Sequence, residues 1–191
     1  LTGAQITRPD PYDSQSTYYG TDDLRNIQNV EGSSANDLLT GNAQANRLWG
    51  GDGNDTLNGI NGDNYLYGGR GNDNVYGGDG NDTYYWGQGD GSDSVSDSGG
   101  LDKLVFTNLN QVDVSIGTDT FGALLIQTHL SAESLYIGNG AKQGDESGWI
   151  EQIEFADHST LDLANYIRQI YGSQNVTYTL GANELNLTLT G

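Results

Sequence analysis

An all-β solenoid is the fold class that the sequence predicts, and three observations predict it. From Gly32 to Val105 the chain repeats every nine residues. Glycine recurs at positions 1, 2 and 4 of the row, and Asp or Asn stands at position 6. Position 8 carries Leu39, Leu48, Leu57, Leu66, Val75, Tyr84, Val95 and Leu104, an apolar or aromatic residue in every row. Glycine-rich, acidic composition can signal a disordered linker. A linker has no reason to hold one position apolar.

The chain divides into a lead-in over 1–31, the repeat over 32–105 and a β-rich capping region over 106–191. The rows are GSSANDLLT (32–40), GNAQANRLW (41–49), GGDGNDTLN (50–58), GINGDNYLY (59–67), GGRGNDNVY (68–76) and GGDGNDTYY (77–85). Trp86 and Gly87 interrupt the register, which resumes as QGDGSDSVS (88–96) and DSGGLDKLV (97–105). Glycine at positions 2 and 4 permits positive φ, so the chain turns tightly with its carbonyls to one side. Residues 7 to 9 form a short strand whose middle side chain points inward. Two rows make a coil, and stacked coils bury position 8 between two thin parallel sheets.

Beyond Val105 the period is lost. VDVSI (112–116), ALLIQT (123–128), SLYIGN (134–139) and WIEQIEF (149–155) read as strands by alternation or as short apolar runs. Asp162 is placed to cap a helix near 162–171, with Leu163, Ile167 and Ile170 on one face and Gly172 at its stop. This region is expected to cover the last coil, whose sheet edges would otherwise lie open. Residues 175–191 read as the start of a following repeat, and with no Met in the chain the sequence is expected to be a piece of a longer one.

Composition narrows the function. Asp and Glu number 26 against 7 Lys and Arg, a formal net charge of −19. That excess opposes binding to nucleic acid and to anionic membrane surfaces. No apolar run is long enough to insert in a bilayer, and no signal peptide is visible at the start. Cysteine is absent, which removes disulfides and thiolate metal sites. Rows 32–105 hold eleven Asp and three basic residues, Arg47, Arg70 and Lys103. A carboxylate at position 6 beside backbone carbonyls is an all-oxygen donor set, which suits Ca²⁺ rather than zinc or copper.

These rows resemble the RTX (repeats-in-toxin) haemolysin-type nonapeptide Gly-Gly-x-Gly-x-Asp-x-U-x. Rows 50–58, 68–76 and 77–85 match closely, while Ala35 and Gln44 replace the position-4 glycine in the first two rows. Residues 26–48 are similar to the entry segment of such arrays, and 99–163 to the haemolysin-type domain that follows them. The resemblance implies a right-handed parallel β-roll that binds several Ca²⁺ ions between coils, row n pairing with row n+2. One edge then stacks Asp37, Asp55, Asp73 and Asp93; the other stacks Asn46, Asn64, Asp82 and Asp102. Implied metal residues are these Asp residues, Asn64, and the glycines Gly50, Gly51, Gly53, Gly68, Gly69, Gly71, Gly77, Gly78, Gly80, Gly89 and Gly91. The Asn46/Asn64 level brings no charge and is expected to be weak or empty. The position-3 acids Asp52, Asp79 and Asp90 add field nearby or lie on a solvated surface.

Outward positions of the second edge collect Trp49, Tyr65, Tyr67 and Tyr85. The lead-in or the cap is expected to cover them; left open, they would form a platform for a glycan or peptide. Catalysis has little support. The histidines are His129 and His158, and neither His-Glu-x-x-His nor Gly-x-Ser-x-Gly occurs. The expectation is a non-enzymatic, calcium-binding structural module of a large exported bacterial protein, adhesin-like, folding on Ca²⁺ outside the cell. The resemblance implies a secreted or cell-surface location and passage through type I secretion machinery. The alternatives are a glycan- or peptide-binding module and the non-catalytic C-terminal part of a secreted hydrolase or toxin.

Overall fold

The computed structural model describes residues 4–9, 19–24, 28–118, 123–138, 150–163, 165–166 and 178–179. In chain order the strands begin with β1 (Ala4–Pro9), β2 (Tyr19–Leu24), β3 (Asn29–Glu31), β4 (Leu38–Thr40), β5 (Arg47–Asp52) and β6 (Thr56–Asn58). They continue with β7 (Tyr65–Arg70), β8 (Asn74–Tyr76), β9 (Thr83–Trp86), β10 (Asp93–Ser96) and β11 (Asp102–Phe106). After the repeat come β12 (Val114–Thr118), β13 (Leu124–Thr128), β14 (Ser134–Ile137), β15 (Ile150–Glu154), β16 (Thr160–Asp162) and β17 (Tyr178–Thr179).

Two sheets face each other. The first has the order β17-β12-β13-β14-β10-β8-β6-β4-β1-β2, the second β16-β15-β11-β9-β7-β5-β3. Within the repeat every pairing is parallel and skips one row, as Leu39 with Leu57, Leu57 with Val75, Leu48 with Leu66 and Leu66 with Tyr84 show. The fold is a parallel β-roll. All eight position-8 side chains are buried, so the row's single inward residue forms the core. Each buries an aliphatic or aromatic group worth about 1.5–3 kcal/mol.

The parallel stack runs past both ends of the repeat. β3 lies on β5 in parallel with Val30 over Leu48. At the other end β14 pairs in parallel with β10, and β15 with β11. Antiparallel strands then close the sheets: β13, β12 and β17 beyond β14, and β16 beyond β15. At the N-terminal end the β1–β2 hairpin pairs antiparallel with β4, so the first sheet does not end on a repeat strand.

The strand expected over 112–116 starts two residues later. Asn110 N–H donates to Asp113 Oδ2 at 2.8 Å, and Gln111–Asp113 form a 3-10 turn before β12. The strand β16 was not expected; it returns from β15 across the turn at His158. Asp162 Oδ1 accepts from Asn165 N–H at 2.8 Å, and Leu163, Asn165 and Tyr166 are helical. The remainder of the expected helix, 167–171, lies outside the described residues, as does most of 175–191.

Trp86 and Gly87, the interruption in the register, lengthen one coil from 18 residues to 20. Asp55 thus lies 18 residues before its partner Asp73, and Asp73 lies 20 before Asp93. Trp86 turns inward beside Tyr84 and is buried. It meets Phe106 edge-on at 5.8 Å, and Phe106 stacks on Phe155 at 5.5 Å. The longer coil therefore deepens the core where the roll joins the strands that follow it.

Candidate metal centres along the two coil edges

The turns between strands stack as regularly as the strands. Gly51, Gly53, Gly69, Gly71, Gly78, Gly80, Gly89 and Gly91 all have positive φ, between 98° and 138°. Space is as demanding as torsion: a Cβ on Gly71 would stand 1.8 Å from the Gly53 carbonyl oxygen of the coil below. Close-stacked turns of this kind require a residue without a side chain.

Position 6 occupies the inner wall of each turn. Asp37 N–H donates to Asp55 Oδ1 at 2.8 Å, Asp55 N–H to Asp73 Oδ1 at 2.7 Å, and Asp73 N–H to Asp93 Oδ1 at 2.9 Å. The second edge repeats this, with Asn46 N–H to Asn64 Oδ1 at 2.9 Å, and Asn64 to Asp82 and Asp82 to Asp102 at 2.7 Å each. The two implied edges are therefore continuous columns. One oxygen of each later carboxylate is taken up in holding the preceding coil.

The other oxygen is not. Among the described residues, Asp37 Oδ1 and the Oδ2 atoms of Asp55, Asp73, Asp82, Asp90 and Asp102 are buried without a hydrogen-bond partner. Position-1 glycines border these oxygens. A Cβ on Gly50 would lie 2.2 Å from Asp55 Oδ2 and 2.4 Å from the Gly68 carbonyl oxygen, and one on Gly68 would lie 2.2 Å from Asp73 Oδ2. At Gly50 a carboxylate oxygen and a backbone carbonyl oxygen thus border one recess, and Gly32 repeats the pair with Asp37 Oδ2 and the Gly50 carbonyl. Buried oxygens without donors are strongly unfavourable unless a cation or proton meets them. This donor set fits calcium, which when bound supplies the positive charge that the recess lacks.

The electrostatics agree. Burial, partly offset by the hydrogen bond from the preceding coil, pushes the carboxyl groups of Asp55, Asp73 and Asp82 up to about 6. Asp93 is pushed up to about 8 by burial, with the charges of Asp73 and Asp90 adding to it. Asp102 is raised by burial and by the charge of Asp97.

The level of the two amides differs. Asn64 Nδ2 donates to the Gly62 carbonyl at 2.7 Å. It also stands 2.6 Å from where a Gly59 Cβ would be, the place that Asp55 Oδ2 holds on the other edge. A donor there occupies a carbonyl that a cation would need. The first row differs in another way: Ser33 N–H and Oγ–H both donate to Asp37 Oδ2, at 2.6 and 2.9 Å, and Oδ1 is the oxygen left over. Of the position-3 acids, Asp52 and Asp79 are exposed, whereas Asp90 is buried and accepts from the Tyr67 hydroxyl at 3.0 Å.

The RTX calcium-binding nonapeptide repeat, in four copies, matches residues 31–59 and 58–93. The chain carries RTX repeats. No curated protein matches the sequence closely. Among solved structures the chain is similar to the AlgE6R3 subunit of a mannuronan C5-epimerase from Azotobacter vinelandii. Identity is 20% and the TM-score 0.46, over 85% of this chain and 95% of that one.

Two features of these RTX repeats were missed in the sequence. Position 5 forms a second ladder in the opposite sense: Asn36 Oδ1 accepts from Asn54 N–H, Asn54 Oδ1 from Asn72 N–H and Asn72 Oδ1 from Ser92 N–H, at 2.7–2.9 Å. Asp63 and Asn81 do the same on the other edge. The signal was the Asn that precedes Asp in row after row. The second feature is Asp97, a position-1 residue whose carboxylate joins Asp82 and Asp102 within 4.8 Å.

The aromatic face overturns its expectation of cover. Trp49 is 47% exposed and Tyr65 41% exposed. Trp49 stacks on Tyr67 at 5.8 Å, Tyr67 meets Tyr85 at 6.3 Å, and Arg47 lies over the Tyr65 ring at 4.5 Å. The rings pack on one another along the sheet, each coil placing its aromatic beside the next. Of the histidines, His158 is exposed in a turn at positive φ beside Glu154, and His129 Nε2 lies 2.6 Å from Ser115 Oγ.

Proposed function

We propose that the chain is a calcium-folded structural module of a large exported bacterial protein, adhesin-like in role, that orders outside the cell. The observation that supports it is the column of buried carboxylate oxygens without partners. Asp37, Asp55, Asp73, Asp93, Asp82 and Asp102 would hold the ions with the turn carbonyls, and the Asn46/Asn64 level would hold one least well. The division into lead-in, roll and cap at 31 and 105 belongs to the same proposal. Without cations these carboxylates repel across coils about 4.8 Å apart, so cation binding energy is folding energy. Extracellular calcium modules work at about 10⁻⁴–10⁻³ M. A chain tuned to that range stays unfolded in the cytosol and passes a type I exporter in that state. Far-UV circular dichroism tests this. Millimolar Ca²⁺, but not Mg²⁺, is expected to convert a largely disordered spectrum in EDTA into a β spectrum; a β spectrum that EDTA leaves unchanged would sink the reading.

A second reading has its own support in the exposed Trp49–Tyr67 stack. There the face of Trp49, Tyr65, Tyr67 and Tyr85 receives a glycan or an aromatic-rich peptide by stacking. Because these rings are partly exposed but the Tyr67 hydroxyl donates to the buried Asp90, the double variant Trp49→Ala, Tyr67→Ala is expected to cost about 2 kcal/mol and to remain folded in saturating calcium. Loss of glycan or peptide capture in that still-folded variant, measured by array binding in calcium, would carry the reading. Unchanged capture, or none by the wild type, would remove it.

A further inference from the structure

Two departures from the repeat meet in space. Position 8 is aliphatic in every row but one, where Tyr84 brings a hydroxyl into the core. Position 1 is glycine in the first six rows and a carboxylate only in the last, at Asp97. The Tyr84 hydroxyl donates to Asp97 Oδ2, and Asp97 Oδ1 accepts from Gly99 N–H at 2.7 Å. Thus held from both sides, the Asp97 carboxylate reaches back to the coil below. A Cβ on Gly77 would lie 2.3 Å from Asp82 Oδ2 and 2.5 Å from Asp97 Oδ2.

Asp82 and Asp102 complete the group. Both are almost wholly buried, at 1% and 2% exposure, and the Oδ2 atom of each has no hydrogen-bond partner. One oxygen from each of the three carboxylates lies within 4.8 Å of the others. Lys103, the nearest base in sequence, is engaged elsewhere with Glu154 at 3.1 Å.

We propose that Asp97 turns the Asp82/Asp102 level into a high-affinity cation site, for Ca²⁺ or a trivalent ion of similar size. The proposal rests on the calcium reading of the roll but adds a ligand that the nonapeptide does not encode. The repeat levels align one position-6 carboxylate per coil; here a third acid enters from position 1, and Tyr84 fixes its orientation. Ligand charge count is what raises calcium affinity, and three hard oxygens of formal charge −3 favour a trivalent ion further. The site lies where the last repeat coils meet the cap, so its ion ties β9, β11 and the start of row 97–105 together.

Terbium(III) titration, read by tyrosine- and tryptophan-sensitised luminescence and with circular dichroism alongside, tests the assignment. Wild type is expected to bind one Tb³⁺ at least tenfold more tightly than the remainder, with Ca²⁺ competing. Asp97→Gly restores the glycine of other rows and is expected to lose that step while folding in saturating Ca²⁺. Asp97→Asn keeps the size and the Tyr84 contact, and should weaken the step at least tenfold, which preserves the test should Asp97→Gly not fold. Titrations of both variants that match wild type would overturn this site and leave the roll's calcium reading intact. No response of wild type to either ion would overturn both.

Discussion

Ile60 sits where other rows place a glycine at positive φ. Its φ is 74°, against 112°, 98° and 101° for Gly51, Gly69 and Gly78. A β-branched residue in that region is strained by roughly 1–3 kcal/mol. Ile60→Gly is therefore expected to stabilise the calcium-loaded fold by about 1 kcal/mol after the added chain entropy of glycine is offset. Thermal unfolding in fixed calcium measures it, and a lower melting temperature would show that the Ile60 side chain contributes more than its backbone costs. At this scale the sequence was informative about torsion and burial, because glycine spacing and position 8 report them directly. It was less informative about hydrogen bonding. Asn36, Asn54 and Asn72 resemble ordinary solvated turn residues until neighbouring coils bring a backbone N–H to each side chain. Asp97 looked like a lapse from the pattern, since nothing in its own row shows that Tyr84 lies opposite.

The later carboxylates of both edge columns titrate above their ordinary range. The folded-state values of Asp55, Asp73 and Asp82, about 6, and of Asp93, about 8, lie above the ordinary 3.8. The cation-free fold thus binds protons that the unfolded chain has released. Its penalty is full above about pH 8, is relieved as pH falls through those values, and is gone below about 4. In EDTA, residual β structure is expected to increase from pH 8 to pH 5. Circular dichroism in EDTA at the two pH values checks the direction; β structure that diminishes on acidification would show that these carboxylates do not carry the penalty. The column was legible as soon as rows were paired two apart. What pairing could not reveal was the division of labour within each carboxylate, one oxygen clasping the preceding coil and the other left over.

For the whole molecule, the register gave the two-sheet roll, and alternation gave most of the strands that follow. The extension of parallel stacking to β3, β14 and β15 was hidden because those segments lack the glycine turns, yet they present the same inward apolar residues, Val30, Leu135, Ile137 and Ile153. The inserted Trp86 was equally opaque: one extra pair of residues reads as a slip until Phe106 and Phe155 are seen against it. The 18-residue interval between paired strands has a mechanical consequence. A coil occupies one strand spacing of about 4.8 Å along the stack, but the same 18 residues span about 60 Å when extended. Detaching one coil from its neighbour thus releases more than ten times the length it occupied. A tether built this way gives length under load one coil at a time, and each re-formed coil takes that length back.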